Sequence, residues 1–199
     1  MHVLVLGPFR EHLNRYFSDQ GDTVFFTERQ VYEKDPIVQQ ADWIISYGYR
    51  YIIGERLLQQ KSNKVINLHI SYLPWNRGAD PNLWSFLENT PKGVSIHYID
   101  KGIDTGKIIA QELADFTDGE TLRTSYIKLT EQIERLFTRL WPEIKANRID
   151  PVLQQGTGSF HFVKDKERFT NLLSLGWDTP VSILVGKALQ SDDGGLEQE

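Results

Sequence analysis

Short continuous apolar runs alternate with helix-period segments from Val3 to Leu113, and this alternation limits the fold more than any other feature of the chain. Val3 to Leu6, Thr23 to Thr27, Trp43 to Gly48 and Val65 to His69 read as strands. Runs with so little polar alternation suit strands covered on both faces, as in a parallel sheet. Glu11 to Gln20, the stretch from Pro36 to Gln40, and Glu55 to Gln60 read as the helices between them, with breaks at Gly7-Pro8 and Gly21. The predicted fold is α/β: a Rossmann-like, mainly parallel sheet flanked by helices, with a short C-terminal appendage.

Beyond Pro81, Asn82 to Glu88 reads as helix, and Val94 to Ile99 and Lys107 to Leu113 read as two strands joined by an Asp100–Gly106 turn. Leu122, Tyr126, Leu129, Ile133, Leu136, Phe137 and Leu140 then recur at spacings of three and four. They predict one long helix with an apolar face turned to the sheet, preceded by Asp118-Gly119 and ending near Pro142. After Asn147 the character changes to a polar Gly-rich connector, an aromatic and charged stretch, and apolar positions interrupted by Gly176 and Pro180. The expected division is a main domain over 1–147, a short extension over 148–189, and a disordered tail over 190–199.

Composition enters mainly through what it excludes. With no cysteine among 199 residues, disulfide and thiolate chemistry and Cys-based metal sites are ruled out, and no metal is expected. A net charge of −5, without a basic cluster, argues against nucleic acid as a partner. No run approaches the roughly 20 apolar residues of a membrane helix, and the N-terminus lacks the pattern of a signal peptide. A soluble cytoplasmic protein is expected, with a homodimer left open.

The chemistry concentrates at two places. Asn67 and His69 stand two apart at the end of an apolar strand, so they point to one side of it. An amide donor and an imidazole then face one volume, as acyl transfer to an amine requires: a donor for the developing oxyanion and an acceptor for the amine proton. Asp104, in the turn Asp100-Lys101-Gly102-Ile103-Asp104-Thr105-Gly106, could reach the same volume and hold the imidazole in one tautomer.

Taken in order, Asn67-Leu68-His69, then Ser71 to Pro81, then a strand and the Asp-x-Gly-x-Asp-Thr-Gly turn resemble the N10-formyltetrahydrofolate-dependent formyltransferases. The matching block spans roughly Ile44 to Leu113. The resemblance implies formyl transfer from 10-formyltetrahydrofolate to a primary amine, with Asn67, His69 and Asp104 as the catalytic trio. It implies a donor site built from Tyr49, Arg50, Tyr51, Ile52, Tyr72, Leu73, Pro74, Ile99 and Asp100. Trp75, Asn76, Arg77 and Gly78 would form the rim on the acceptor side.

Departures from the family pattern narrow the acceptor. Gly7-Pro8-Phe9-Arg10 stands where the glycinamide ribonucleotide enzymes place a glycine-rich phosphate loop, and Pro8 removes a backbone donor. The acidic stretch after Asn147 is unlike the tRNA-gripping barrel of the methionyl-tRNA enzymes. The expected acceptor is the amine of a nucleotide-linked 4-amino-4,6-dideoxy sugar, carried on dTDP or GDP, with Arg77 and Lys101 as candidates for its diphosphate. Hydrolysis of the same donor, or transfer to an amino acid, a peptide or methionyl-tRNA, are the alternative readings. The Gly158–Asp165 stretch resembles a segment of the sugar enzymes, and His161 within it is assigned to structure ahead of acceptor binding.

Overall fold

The computed structural model describes residues 1–190, and the expectation of a disordered tail otherwise lies outside the described residues. The elements are β1 (His2–Leu6), α1 (Glu11–Asp19), β2 (Thr23–Thr27), α2 (Pro36–Gln40), β3 (Trp43–Ser46), α3 (Glu55–Gln60) and β4 (Val65–His69). They continue with β5 (Arg77–Gly78), α4 (Pro81–Leu87), β6 (Gly93–Tyr98), β7 (Ile108–Leu113), α5 (Leu122–Lys145), β8 (Phe160–His161) and α6 (Lys187–Gln190). Three 3-10 turns lie between β8 and α6.

Six strands form one sheet in the order β2-β1-β3-β4-β6-β7. The first four run parallel, and β6 and β7 each lie antiparallel to the strand before them. The alternating apolar runs therefore form the parallel sheet expected of them, and the Asp100–Gly106 turn joins the antiparallel hairpin. The two faces separate by residue parity. Val3, Val5, Trp43, Ile45, Ile66 and Leu68 pack with α1 and α5, whereas Leu4, Leu6, Ile44 and Val65 pack with α2 and α3. Period two then carries Asn67 and His69 along the Val65 side, past the last residue that the helices of that face cover.

Helix α5 starts at a capping box, in which the hydroxyls of Thr121 and Thr124 each accept from the other's backbone N–H. It ends at Lys145, near Pro142 as expected, with the proline inside its last turn. A proline at that point deprives the Thr138 carbonyl of its helical donor. Here the Tyr16 hydroxyl donates to that carbonyl at 2.8 Å, which offsets the loss and lets the helix continue. Of the expected stripe, Leu129, Ile133, Leu136, Phe137 and Leu140 pack on the sheet together with Trp141 and Ile144, whereas Leu122 joins α4 and Tyr126 lines a cavity. Trp141 meets Trp43 and Phe17 edge to face, with ring centroids 5.6 Å apart in each case.

The segment after Asn147 is stitched to the sheet domain at several points. Val152 bridges to Ile108, β8 pairs with β5, and Phe169, Val181, Leu184 and Ala188 join α4 in a third apolar cluster.

Candidate active site

The carboxyl ends of the parallel strands open into a cavity of about 1200 Å³, the usual ligand position in sheets of this kind. At its floor, strand register sets three side chains on one face. Asn67 lies between Ser46 of β3 and His97 of β6, and His69 lies opposite Ser95. A β-bulge between Ile96 and His97 bends β6 at this point.

Asp104 reaches the floor from the β6–β7 turn with a positive φ of 54°, a conformation that Asp tolerates better than most residues. The turn is built for this. Asp100 Oδ1 accepts from the Gly102 N–H and the Thr105 hydroxyl, and a side chain at Gly106 would collide with the Tyr98 carbonyl. From outside, Gln154 donates to the carbonyls of Asp104 and Gly106 at 2.7 and 2.9 Å. The Asp104 carboxylate accepts from the Asn67 amide at 3.0 Å and from the Gly78 N–H at 2.9 Å, with His97 Nε2 3.4 Å away.

The tautomer of His69 follows from its partners. Nε2 lies 3.3 Å from the Asn76 carbonyl, which can only accept, so Nε2 carries the proton and Nδ1 keeps its lone pair. Nδ1 lies 3.8 Å from Asp104, beyond hydrogen-bonding distance, as two acceptors would stand. Burial pushes the His69 pKa below 6.5, although the Asp104 charge pulls it up. Burial would raise Asp104, but His69, His97 and the Gly78 N–H outweigh it and hold the carboxyl well below its usual range. The arrangement is a neutral base beside a carboxylate that pairs with it only once it gains a proton.

Asn67 differs from its expected state. Its Nδ2 lies 3.0 Å from Asp104 and 3.2 Å from His97 Nε2, so both amide hydrogens are engaged. Donation to an incoming carbonyl oxygen requires one of these bonds to open.

Among the expected donor-site residues, Tyr49, Arg50, Tyr51, Ile52, Ile99 and Asp100 line the cavity. Tyr72, Leu73 and Pro74 do not, because the turn after β4 folds beneath the site: Leu73 is buried and its N–H donates to Ser95 Oγ. Of the expected acceptor rim only Gly78 lines the cavity. Trp75 lies outside it, and Asn76 is fully buried with its amide bonded to Thr90 Oγ1. Arg77 donates to the Thr157 carbonyl at 2.9 Å, so its guanidinium braces the connector rather than facing the cavity.

His161 stacks on Trp84 with ring centroids 3.7 Å apart, and its Nε2 lies 3.1 Å from Glu88. It is buried and also lines the cavity wall.

Sequence reasoning missed His97 and Gln154. A signal for His97 existed, since Ser95 and His97 are the polar positions, two apart, on an otherwise apolar strand. Gln154 carried none, because its role depends on where the connector passes. Arg10, Tyr126, Lys166 and Trp177 also line the cavity and were not singled out as site residues.

The cavity suits a flat heterocycle at the end formed by the β3–α3 loop. Gly48 there has φ 72°, and Ile53 and Ile99 supply apolar walls beside exposed backbone. Among the described residues there is no His/Asp/Glu cluster able to hold a metal, and no helix long and apolar enough to cross a membrane.

Comparison with known proteins follows the same lines. Residues 21–140 match the family described as formyl transferase. Phosphoribosylglycinamide formyltransferase of Bacillus subtilis (strain 168) is 33% identical over 108 residues, covering 54% of this chain and 53% of that enzyme. The match thus spans about half the length of that curated relative. The crystal structure of the formyltransferase PseJ from Anoxybacillus kamchatkensis, in complex with UDP-4,6-dideoxy-4-formamido-L-AltNAc and tetrahydrofolate, is 50% identical. It superposes with a TM-score of 0.92 over 94% of this chain and 100% of that one. A 4-N formyltransferase from Francisella tularensis shares the fold at 21% identity and a TM-score of 0.73, covering 84% of this chain and 78% of that one.

Proposed function

The chain belongs to the formyl transferase family, and from that premise we propose that it moves a formyl group from 10-formyltetrahydrofolate to the 4-amino group of a UDP-linked dideoxy sugar. UDP replaces the dTDP or GDP expected from sequence because PseJ, the 50% identical relative, is described with a UDP-sugar product. The observation that most supports the chemistry is the free Nδ1 of His69, fixed by its Nε2 bond to Asn76 and set 3.8 Å from Asp104.

Bound 10-formyltetrahydrofolate supplies the formyl carbon. The β3–α3 loop, with Tyr49 to Ile52, and the turn at Ile99 and Asp100 hold its heterocycle. His69 Nδ1 accepts the proton that the attacking amine loses. Asp104 then pairs with the imidazolium, an interaction strengthened by burial. Asn67 turns an amide hydrogen from His97 or Asp104 toward the formyl oxygen as charge develops there. The proton held at His69 is available to the departing donor nitrogen, which restores the neutral base. In this reading residues 1–147 carry the donor site and the chemistry, and 148–189 complete the acceptor side. A cytoplasmic location and a homodimer belong to the same proposal.

Incubating the protein with 10-formyltetrahydrofolate, with and without a UDP-4-amino-4,6-dideoxy sugar, tests the proposal by mass spectrometry of the sugar and absorbance of released tetrahydrofolate. Release and N-formyl sugar only when amine is present are expected. Release without amine would reassign the protein as a hydrolase of the donor. Transfer to methionyl-tRNA with none to sugar would overturn the acceptor, against a chain whose net charge is −5.

A further inference from the structure

The part of the cavity wall that α5 and the segment after β8 supply carries an aromatic pair with no role in the chemistry above. Tyr126, in the second turn of α5, meets Trp177 edge to face with ring centroids 5.1 Å apart and an interplanar angle of 70°. Both line the cavity, and Trp177 remains 51% exposed. An indole that open to water is not there to stabilise the core.

Its position is nevertheless held firmly. Trp177 sits in the 3-10 turn Gly176–Asp178, and Arg123 of α5 grips Asp178 through two hydrogen bonds of 2.8 and 3.2 Å. The Leu122 N–H donates to the Thr179 carbonyl, the Val181 N–H donates to the Glu120 carbonyl, and the Thr179 hydroxyl closes the turn onto the Gly176 carbonyl. A half-exposed indole on a turn pinned from both sides is pre-organised for contact with a flat ring. A perpendicular ring pair uses one edge and one face, which leaves a face for a third ring.

Other features of the cavity wall suit the rest of a nucleotide. Arg10 lies over the Tyr47 ring at 4.8 Å, and its buried Nε has no hydrogen-bond partner. The Tyr47 hydroxyl donates to Glu134 at 3.1 Å, and Arg10, Tyr47, Tyr126 and Trp177 all line the one cavity. A guanidinium with an unpartnered Nε and an aromatic corner therefore share the cavity, one suited to a diphosphate and the other to a base.

We propose that the Tyr126–Trp177 corner is the nucleobase subsite of the acceptor, where the pyrimidine ring of a nucleoside diphosphate sugar stacks on Trp177. The subsite rests on the nucleotide-sugar reading of the function. It explains why the segment after Asn147 is stitched so closely to α5: that contact completes the acceptor half of the cavity.

Stacking of a base on an aromatic side chain contributes about 1–3 kcal/mol, or roughly 5- to 150-fold in affinity. Two measurements test the subsite: calorimetry with UDP alone, and turnover of a UDP-4-amino-4,6-dideoxy sugar. Trp177→Ala is expected to weaken UDP binding and raise the acceptor KM within that range, with the KM for 10-formyltetrahydrofolate and kcat at saturating acceptor within about twofold of wild type. Trp177→Phe is expected to recover most of the loss. If the Ala variant melts early, Trp177→Leu is read instead, since it keeps bulk without a π face.

UDP affinity and acceptor KM both unchanged in a folded Ala or Leu variant would overturn the subsite. Failure of the function reading looks different: wild-type protein would then formylate no nucleotide sugar. In that event UDP calorimetry still decides, since binding to wild type that is lost in Trp177→Ala keeps the subsite, and absence of binding to wild type removes it.

Discussion

Residues 47–53 and residues 72–77 both flank the carboxyl end of β4, yet only the first stretch presents side chains to the cavity. The first is anchored at Tyr49, whose hydroxyl donates to the Arg29 carbonyl and accepts from the Val31 N–H, and it leaves Tyr51 and Ile52 exposed. The second is wrapped by a later part of the chain: Ser159 N–H donates to the Pro74 carbonyl, Ser159 Oγ accepts from the Asn76 N–H, and Arg77 donates to the Thr157 carbonyl. A loop covered by another segment cannot offer its side chains to a ligand. It can still position what does, and here it does so through backbone atoms. The Asn76 carbonyl fixes His69, and the Gly78 N–H holds Asp104.

The comparison breaks first at the base that the wrapped loop positions. His69→Ala is expected to reduce kcat by about 100-fold or more, the size of a general acid–base contribution, with folate binding nearly intact. Steady-state kinetics with donor-binding calorimetry would check it, and near-normal turnover would remove His69 from the chemistry.

The pH profile sharpens the same point. The active form of His69 is neutral and burial depresses its pKa, so kcat/KM should be flat near neutrality and fall on an acid limb lying below 6.5. Asp104→Asn removes the charge that pulls this pKa up, so the limb should move to lower pH while the plateau drops. Stability follows with the same sign. A histidine kept neutral when folded favours the unfolded chain as pH falls below 6.5, and the depressed Asp104 adds a loss of stability as pH falls below about 3.8.

The two loops themselves should then separate by readout. Asn76→Ala removes a fully buried amide bonded to Thr90, at a positive φ of 55° that Asn tolerates better than Ala. A loss of about 2 kcal/mol or more, a melting temperature lower by several degrees, is expected. Ile52→Ala, at a side chain 78% exposed beside the cavity, should leave melting unchanged and raise the folate KM by about 3- to 10-fold. The reverse pattern would show that the exposed loop supports the fold and the wrapped one binds the donor.

The sheet was legible because parity and period act locally: Val65, Asn67 and His69 share a side whatever surrounds them. That Asn67, His69 and Asp104 would meet was legible for the same reason, together with the spacing of the Asp-Thr-Gly turn. What escaped depends on contacts between distant segments. Nothing near Pro74 or Arg77 reports that residues 157–159 will cover them, and nothing near Gln154 reports that it will meet the Asp104 turn. Pro142 marked the neighbourhood of the helix end correctly, but the donor that satisfies Thr138 comes from Tyr16, 122 positions away, and could not be read locally.

Arg77 gives the smallest expected effect and the sharpest test of the comparison. From sequence it stood as a free cation for the acceptor's diphosphate. In the structure its guanidinium donates to the Thr157 carbonyl, and it lies outside the main cavity. A cation committed to a carbonyl on the outer side of the loop has little left for a ligand. Arg77→Ala should therefore change the acceptor KM by no more than about twofold, and lower stability by roughly 1 kcal/mol through the lost hydrogen bond. Arg10→Ala, at the unpaired guanidinium on the cavity wall, should raise the acceptor KM by more. If Arg77→Ala raised it further than Arg10→Ala, the wrapped loop would have to open toward the ligand during binding, and the separation of a presenting loop from a positioning one would fail.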